Sequence, residues 1–150
     1  MTLVIRHLTL ADASSVHALN VMTEMGSADL EATASTLNRI LQYPDQHVLF
    51  AFEAEGQMIG YIHAQLYEML YSPNILFNVI ALAIDERYQG QGIGKQLLHA
   101  VEQEAMVLGL DGIRINSGNN RELAHVFYEK LGYISNRDQK RFVKLFVPVH

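Results

Sequence analysis

A glycine-rich loop between an apolar run and an amphipathic helix constrains this chain more than any other feature. The loop spans Gln89–Lys95 and has glycines at positions 90, 92 and 94. The apolar run before it, Leu76–Ile84, is short and rich in branched side chains, which is typical of a buried strand. After the loop, apolar residues recur at helical spacing from Ile93 to Leu108. The pattern predicts a strand, a tight loop and a helix in direct succession.

Such a loop is suited to holding a phosphate group. Glycine lets the backbone approach a ligand without a Cβ atom in the way, and the first N–H groups of the helix have no intrahelical acceptor. The spacing excludes two common phosphate sites. A P-loop ends in Gly-Lys-Ser/Thr, whereas Lys95 is followed by Gln96. A dinucleotide fingerprint needs a third glycine where Lys95 stands. A glycine turn without a ligand is the remaining alternative.

The spacing Gln-x-x-Gly-x-Gly, formed by Gln89, Gly92 and Gly94, resembles the acetyl-CoA pyrophosphate loop of the GNAT superfamily of N-acetyltransferases. A second block, Ala124–Tyr133, resembles the family motif Ala-x-x-Phe-Tyr-x-x-x-Gly-Phe/Tyr. The resemblance is strong over residues 76–135, and the flanks agree in pattern only. It implies an α+β fold in which a mixed central sheet of about seven strands is flanked by about four helices, with splayed strands at the cofactor site.

The resemblance implies an N-acetyltransferase that moves an acetyl group from acetyl-CoA, its co-substrate, directly to a primary amine. In the resembled family the N-terminal half of the chain lines the acceptor site. Residues 1–75 of this chain carry a net charge of −6, and an acidic acceptor half would attract a cation. We therefore expect a small-molecule acceptor, and specifically a small cationic amine. Ordinary surface acids are an equally good explanation of the charge. Two other functions stay open, namely acetylation of a protein or peptide amine and a non-catalytic acyl-CoA sensor.

The resemblance also implies which residues hold acetyl-CoA. Backbone groups at the end of the buried strand would pair with the pantetheine arm, and loop amides would hold the pyrophosphate. Asn120 would contact the pantetheine, although Arg121 facing the phosphates, or Asn119 or Asn120 as a simple helix cap, are alternatives. The expected cofactor-binding residues are Leu82, Ala83, Ile84, Gln89, Gly90, Gln91, Gly92, Ile93, Gly94, Lys95 and Asn120.

Two catalytic residues are expected on the same basis. Tyr128 matches the family tyrosine that protonates the leaving thiolate, and a phenol with a pKa of about 10 suits that role. Packing on an amphipathic helix is its alternative role. Many relatives carry an acidic base on the buried strand, where this chain has Ile80 and Ala81, so we expect Glu68 to replace it. The alternatives for the base are Glu24, Glu31 and a water chain.

Composition and charge exclude several classes. The 150 residues are typical of one domain spanning 1–150, and the absence of cysteine excludes disulfides and thiolate metal sites. The seven histidines show no metal-ligand spacing, so no metal is expected. A net charge of −5 argues against nucleic-acid binding, and no apolar run approaches a membrane span. These features predict a cytoplasmic location without a membrane partner, and a homodimer is common in the resembled family.

The remaining pattern predicts the other elements. A strand at 3–7 is followed by a helix capped by Thr9 and Asp12, and a second helix stops at Pro44. Two strands form a hairpin, and a turn at Ser72–Asn74 leads into the buried strand. Later strands are expected at 112–116 and 141–147, on either side of the helix that holds Tyr128.

Overall fold

The chain divides into two compact units, Met1–Ile115 and Asn116–His150. The computed structural model describes residues 2–116, 122–135 and 140–147. The first unit contains β1 (Leu3–His7), α1 (Ala13–Met22), α2 (Leu30–Leu41), β2 (His47–Ala54), β3 (Gln57–Met69), β4 (Ser72–Ile84), α3 (Ile93–Val107) and β5 (Gly112–Ile115). Among the described residues of the second unit, the one element is α4 (Glu122–Lys130).

The five strands form one mixed sheet in the order β1-β2-β3-β4-β5. Neighbouring strands are antiparallel except β4 and β5, which are parallel. Helices α1 and α2 cover one face, where Tyr61 and Ala83 pack against Val16 and Leu37. Helix α3 covers the other face with its fully buried apolar stripe, which includes Leu97, Leu98 and Val101. The first unit is therefore a sheet between two helical layers, as the α+β prediction requires.

The two early helices begin where capping residues predict. Asp12 accepts a hydrogen bond from the Thr9 backbone N–H at 2.7 Å, and a short 3-10 turn, Leu10–Asp12, precedes α1. The Asp29 carboxylate accepts a hydrogen bond from the Ala32 N–H at 2.8 Å and so caps α2. The break between α1 and α2 is confirmed, because no helix is assigned between Met22 and Leu30.

The hairpins differ from one another in how well sequence predicted them. The first turns at Glu55-Gly56, whose φ angles of 51° and 82° suit a tight two-residue turn. The turn of the second hairpin lies at 70–71 and not at Ser72–Asn74, where it was predicted. Ser72 already pairs with Met69 in the ladder. Pro73 is tolerated in β4 because pairing with β5 begins only at Leu76, so its missing N–H removes no bond on that side.

Strand β4 leaves regular pairing at Ile80. His63 pairs with Ala81 but Ala64 pairs with Val79, so Ile80 is an extra residue that forms a β-bulge. Pairing with β5 ends at Val79 and Ile115. Within the described residues, positions 80–84 of β4 therefore have a strand neighbour on the β3 side alone. This is the arrangement that the predicted splay of two strands describes.

The strand count is lower than predicted. The described residues contain five strands instead of about seven, whereas the four helices match the expected number. The predicted strand at 141–147 is wrong, since residues 140–147 contain no strand and Phe142 and Phe146 are 88% and 90% exposed. An apolar run does not by itself make a strand, because the backbone groups of a strand need a neighbour that satisfies them. None of the described helices is long and apolar enough to cross a membrane.

A buried ion pair joins β1 to the start of α1. The Arg6 guanidinium donates to both carboxylate oxygens of Asp12, at 2.8 and 2.7 Å, and also to Glu53 at 2.8 Å. Asp12 is only 6% exposed. The hydrogen bonds from Arg6 lower the pKa of Asp12 below its usual range, with burial acting in the opposite direction. The edge strand β1 is thus held to β2 by its backbone hydrogen bonds and to the start of α1 by this ion pair.

We expect Asp12→Asn to lower the free energy of unfolding by about 2 kcal/mol at pH 7, because it leaves Arg6 half-buried without its main partner. The folded-state pKa of Asp12 is depressed, so its stabilisation is present above the pKa of an unfolded aspartate, about 3.9, and is lost as the pH falls through the folded value. Urea unfolding across this range measures the difference. Asp45→Asn, at an exposed turn, is the matched control. Equal stability of the two variants at pH 7 would contradict the assignment.

Candidate active site

The glycine loop presents unpaired backbone amides at the start of α3. Gly92 is the N-cap, with a φ of 81°, and no side chain caps the helix. The first intrahelical bond runs from the Gln96 N–H to the Gly92 carbonyl at 3.1 Å. The N–H groups of Ile93, Gly94 and Lys95 therefore have no intrahelical acceptor, and they lie at the positive end of the helix dipole. This arrangement suits an anionic group such as a pyrophosphate.

A buried aspartate fixes the entry to the loop. Asp85 is 4% exposed and accepts hydrogen bonds from the Arg87 N–H at 2.9 Å and from the Arg87 guanidinium at 2.7 Å. The Arg87 hydrogen bonds hold the pKa of Asp85 below its usual range. Gln89, the first loop residue, donates from Nε2 to the Ile84 carbonyl at 3.3 Å. The loop is therefore tied to the end of β4 by two side chains.

Two of the three predicted strand residues present backbone groups on the open side of β4. The Asp85 N–H donates to the Ile59 carbonyl at 2.8 Å, so the backbone of Asp85 faces β3. Because bonding direction alternates along a strand, Ala83 also faces β3, while Leu82 and Ile84 face away from it. The Gln89 contact with the Ile84 carbonyl agrees with this direction. A ligand along the open edge of β4 would meet Leu82 and Ile84.

A small pocket of about 180 Å³ lies on the face of the sheet covered by α1 and α2. The Tyr61 hydroxyl donates to the Asn20 side-chain oxygen, and burial raises the pKa of Tyr61 to about 12. Among the described residues no carboxylate lines this pocket, which is apolar with a few neutral polar groups. The lining residues are Leu8, Val16, Asn20, Ala28, Thr33, Thr36, Leu37, Ile40, Leu49, Tyr61 and His63.

The same face carries further polar residues, and sequence reasoning missed His63, Gln65, Asn78 and Arg114 among them. Strand β3 places His63, Gln65 and Tyr67 on this face by alternation, and the register brings Asn78 of β4 beside Gln65 and Arg114 of β5 beside Asn78. The Asn78 Oδ1 atom is buried without a hydrogen-bond donor among the described residues. The Arg114 guanidinium carbon lies 4.6 Å from the centre of the Tyr67 ring. Alternation along β3 was the one sequence signal that could have grouped them.

A larger open groove of about 350 Å³ lies between β1 and α3. It is lined by Ile5, Lys95, Gln96, His99 and Ala100. Lys95 belongs both to the amide cradle and to the lining of this groove. The groove contains no residue of β3 or β4, whereas the smaller pocket includes Tyr61 and His63 of β3, which pair with Ala83 and Ala81 of β4, so the smaller pocket is the better acceptor candidate.

The two predicted catalytic residues lie in different units. Glu68 is exposed near the end of β3 and does not line the pocket. In the second unit, the Tyr128 ring makes edge contacts with Phe127 and Tyr133, with ring centres 5.3 and 6.2 Å apart. Gly132, with a φ of 92°, turns the chain so that the Tyr133 N–H bonds the Tyr128 carbonyl at 3.1 Å. The roles of Glu68 and Tyr128 stay predictions, and Asn120 falls outside the described residues.

Comparison with known proteins places the chain among acetyltransferases. Residues 44–135 match the family described as "Acetyltransferase (GNAT) domain". The aminoalkylphosphonate N-acetyltransferase of Salmonella typhimurium (strain LT2) is 29% identical over 140 residues, which cover 93% of this chain and 89% of that protein.

Solved structures agree at the level of the fold. AAC(6')-Iy, in complex with the bisubstrate analog CoA-S-monomethyl-acetylneamine, superposes with a TM-score of 0.84 at 18% identity, covering 97% of this chain and 99% of that one. An aminoglycoside acetyltransferase, meta-AAC0020, from an uncultured soil metagenomic sample has a TM-score of 0.76 at 23% identity, covering 97% of each chain. A transcriptional regulator from Bacillus halodurans C-125 has a TM-score of 0.83 at 16% identity, covering 95% and 100%.

We expect Gly92→Ala to weaken binding of a CoA-type pyrophosphate about tenfold, because a Cβ atom strains the left-handed backbone and moves the cradle amides. Isothermal calorimetry with CoA measures the affinity. Gly109→Ala is the matched control, since Gly109 has a φ of 72° and open space around it, as Gly92 does, but lies at the far end of α3. Both variants should lose similar stability. Unchanged CoA affinity in Gly92→Ala, or equal loss in both, would contradict the cradle.

Proposed function

This chain belongs to the GNAT acetyltransferase family, and on that premise we propose that it moves an acetyl group from acetyl-CoA directly to the primary amine of a small molecule. It is an N-acetyltransferase, as its family and its Salmonella relative show. The single observation that carries the proposal is the open edge of β4 at residues 80–84, which is followed at once by the amide-rich loop.

The open edge and the loop suit the two ends of acetyl-CoA. The pantetheine arm contains amide groups, which can bond the outward-facing peptide groups of Leu82 and Ile84 as a neighbouring strand would. The pyrophosphate is an anion that fits the amides of residues 90–95. GNAT acetyltransferases use acetyl-CoA, and the complex of AAC(6')-Iy with a CoA bisubstrate analog supports the same donor here.

The chemistry needs positioning and charge stabilisation. The amine nitrogen attacks the thioester carbonyl carbon, the C–N bond forms, and an oxyanion develops that a free β4 N–H such as that of Leu82 can stabilise. The oxyanion collapses, the C–S bond breaks, and the CoA thiolate leaves. We assign its protonation to Tyr128. Cofactor contacts by Asn120 and a catalytic role for Glu68 are parts of the proposal that no contact in the described residues supports.

The pocket supports a small acceptor over a peptide. Its volume of about 180 Å³ holds a small molecule, whereas a peptide needs a groove open at both ends. The acidic first half offers less steering than its net charge indicates, because no carboxylate among the described residues lines the pocket, and Asp12 and Glu53 both accept hydrogen bonds from Arg6. We infer an acceptor with a single ammonium group rather than a polycation.

An acidic group on the acceptor is supported by the polar residues beside the pocket. Among the described residues, Arg114 has no carboxylate within salt-bridge distance, and the neighbouring Asn78 Oδ1 atom is buried without a hydrogen-bond donor. A guanidinium can bind a phosphonate or carboxylate through two N–H groups, and Asn78 can accept from an ammonium. The Salmonella relative's name, aminoalkylphosphonate N-acetyltransferase, fits such a zwitterion.

We expect thiol release from acetyl-CoA with aminoalkylphosphonates, at higher kcat/KM than with polyamines, aminoglycosides or peptides. Arg114→Gln should lower kcat/KM for acidic acceptors about tenfold or more and leave simple alkylamines unchanged, because it removes one anion contact. Arg39→Gln, on the exposed side of α2, is the matched control. Tight CoA binding without turnover on any amine would contradict the transferase proposal and favour a sensor.

We expect Tyr128→Phe to lower kcat about 100-fold or more at saturating substrates, because the thiolate loses its proton donor while the ring is kept. Tyr133→Phe makes the same change in the neighbouring ring and should be near wild type. CoA affinity should not change in either. Unchanged turnover in Tyr128→Phe would remove Tyr128 from the acid role.

A further inference from the structure

Two histidines form a hydrogen-bonded pair on the pocket face of the sheet. The Nδ1 atom of His47, the first residue of β2, lies 2.9 Å from Nε2 of His63 in the middle of β3, and the ring centres are 5.1 Å apart. His63 lines the pocket, and His47, which is half-buried, is not among its lining residues. Neither ring has a role in the acetyl transfer described above.

The surroundings keep both rings uncharged. Burial, reinforced by the positive charge that His47 can carry, lowers the pKa of His63 to about 4, and burial also lowers the pKa of His47. The groups that line the pocket with His63 are Asn20 of α1, Thr33 and Thr36 of α2, and Tyr61 of the same strand. Since no carboxylate lines the pocket, nothing there favours an imidazolium.

Two neutral imidazoles that share one hydrogen bond retain one N–H and one lone pair between them. If His63 donates from Nε2, its Nδ1 atom keeps a lone pair, and the remaining N–H belongs to Nε2 of His47. In the opposite arrangement the lone pair lies on the outer histidine. The pair is therefore a directed path for a proton between the pocket and the margin of the sheet.

The location of His63 relates this path to the reacting centre. His63 pairs directly with Ala81, the residue after the bulge at Ile80, where the open edge of β4 begins. Residues that face each other across two strands project side chains to the same face, about 5 Å apart at Cβ. Ile80 and Ala81 have no ionisable group, and His63 is the ionisable residue that pairs with Ala81 on the adjacent strand.

We propose that His63, in place of the expected Glu68, is the general base of the acetyl transfer and that His47 carries the proton onward to solvent. The inference rests on the proposed function. As the amine nitrogen bonds to the thioester carbon, its proton goes to Nδ1 of His63, the Nε2 proton of His63 goes to Nδ1 of His47, and the Nε2 proton of His47 goes to water. The C–S bond then breaks and the thiolate takes its proton from the acid. His63 is neutral before and after but ends with its proton on Nδ1. After the product leaves, release of that proton to water in the open pocket and the reverse transfer from water through His47 to Nε2 of His63 restore the starting tautomer.

The resting tautomer is the first test. Two-bond ¹⁵N–¹H correlation spectra of the ¹⁵N-labelled protein at pH 7, assigned with the His47→Gln and His63→Gln variants, report which ring nitrogens carry protons. We expect a protonated Nε2 and an unprotonated Nδ1 on His63. A proton on Nδ1 of His63 would overturn the proposal, because that atom could not accept a second one.

The second test is kinetic, with the amine that the wild type acetylates best. His63→Gln should lower kcat about 100-fold or more with little change in CoA affinity, and His63→Ala should regain activity when imidazole is added. The proton inventory in H₂O/D₂O mixtures should be curved for the wild type and linear for His47→Gln, a change that a structural role would not produce. His99→Gln, on the exposed side of α3, is the control.

The two proposals fail differently. A wild type that acetylates no amine contradicts the proposed function and, with it, the reaction assigned to the pair. An active wild type with an equally active His63→Gln variant contradicts the histidine relay alone. Loss of activity in His63→Gln without imidazole rescue in His63→Ala, and with a linear wild-type inventory, would also overturn the relay and leave the transferase in place.

Discussion

The half-open edge of β4 is the constraint on which the rest of the site depends. Peptide groups of a buried strand need partners, and β3 supplies them along the whole length of β4. On the other side, within the part of the chain that the structure describes, β5 supplies them only as far as Val79, and the bulge at Ile80 changes the direction of the strand at that point. A ligand with peptide-like amides can satisfy the remaining groups without breaking any existing ladder.

The proposed donor and acceptor halves of the site differ in how far apart their residues lie in the sequence. The donor half is one continuous segment in which β4, the Asp85–Arg87 pair, the loop and α3 follow one another, and α3 is anchored by buried Leu97 and Val101. The acceptor half is assembled from α1, α2, β2 and β3, which are distant in sequence. One sequence motif can therefore specify the donor, while the acceptor depends on how several elements pack.

The uncharged pocket has a consequence for the amine. Burying an ammonium without a counter-charge is costly, so a pocket of neutral groups favours an amine that has lost its proton, which is the form that attacks a thioester. The neutral histidine pair, Tyr61 with its raised pKa and the missing carboxylates all act in this direction. The Arg114 guanidinium of β5 lies over the Tyr67 ring, where it is placed for an acidic group instead of the amine.

Local sequence was sufficient for the helices, the first hairpin and the glycine loop, because capping, helical spacing and left-handed glycines act within a few residues of the chain. It failed at 141–147, where an apolar run did not form a strand, and at Ser72, where the register extended the ladder. It also missed the pairing of His63 with His47 and of Asn78 with Arg114. Those contacts depend on inter-strand register and on the bulge at Ile80, which only long-range pairing decides, since a shift by one residue moves every side chain to the other face.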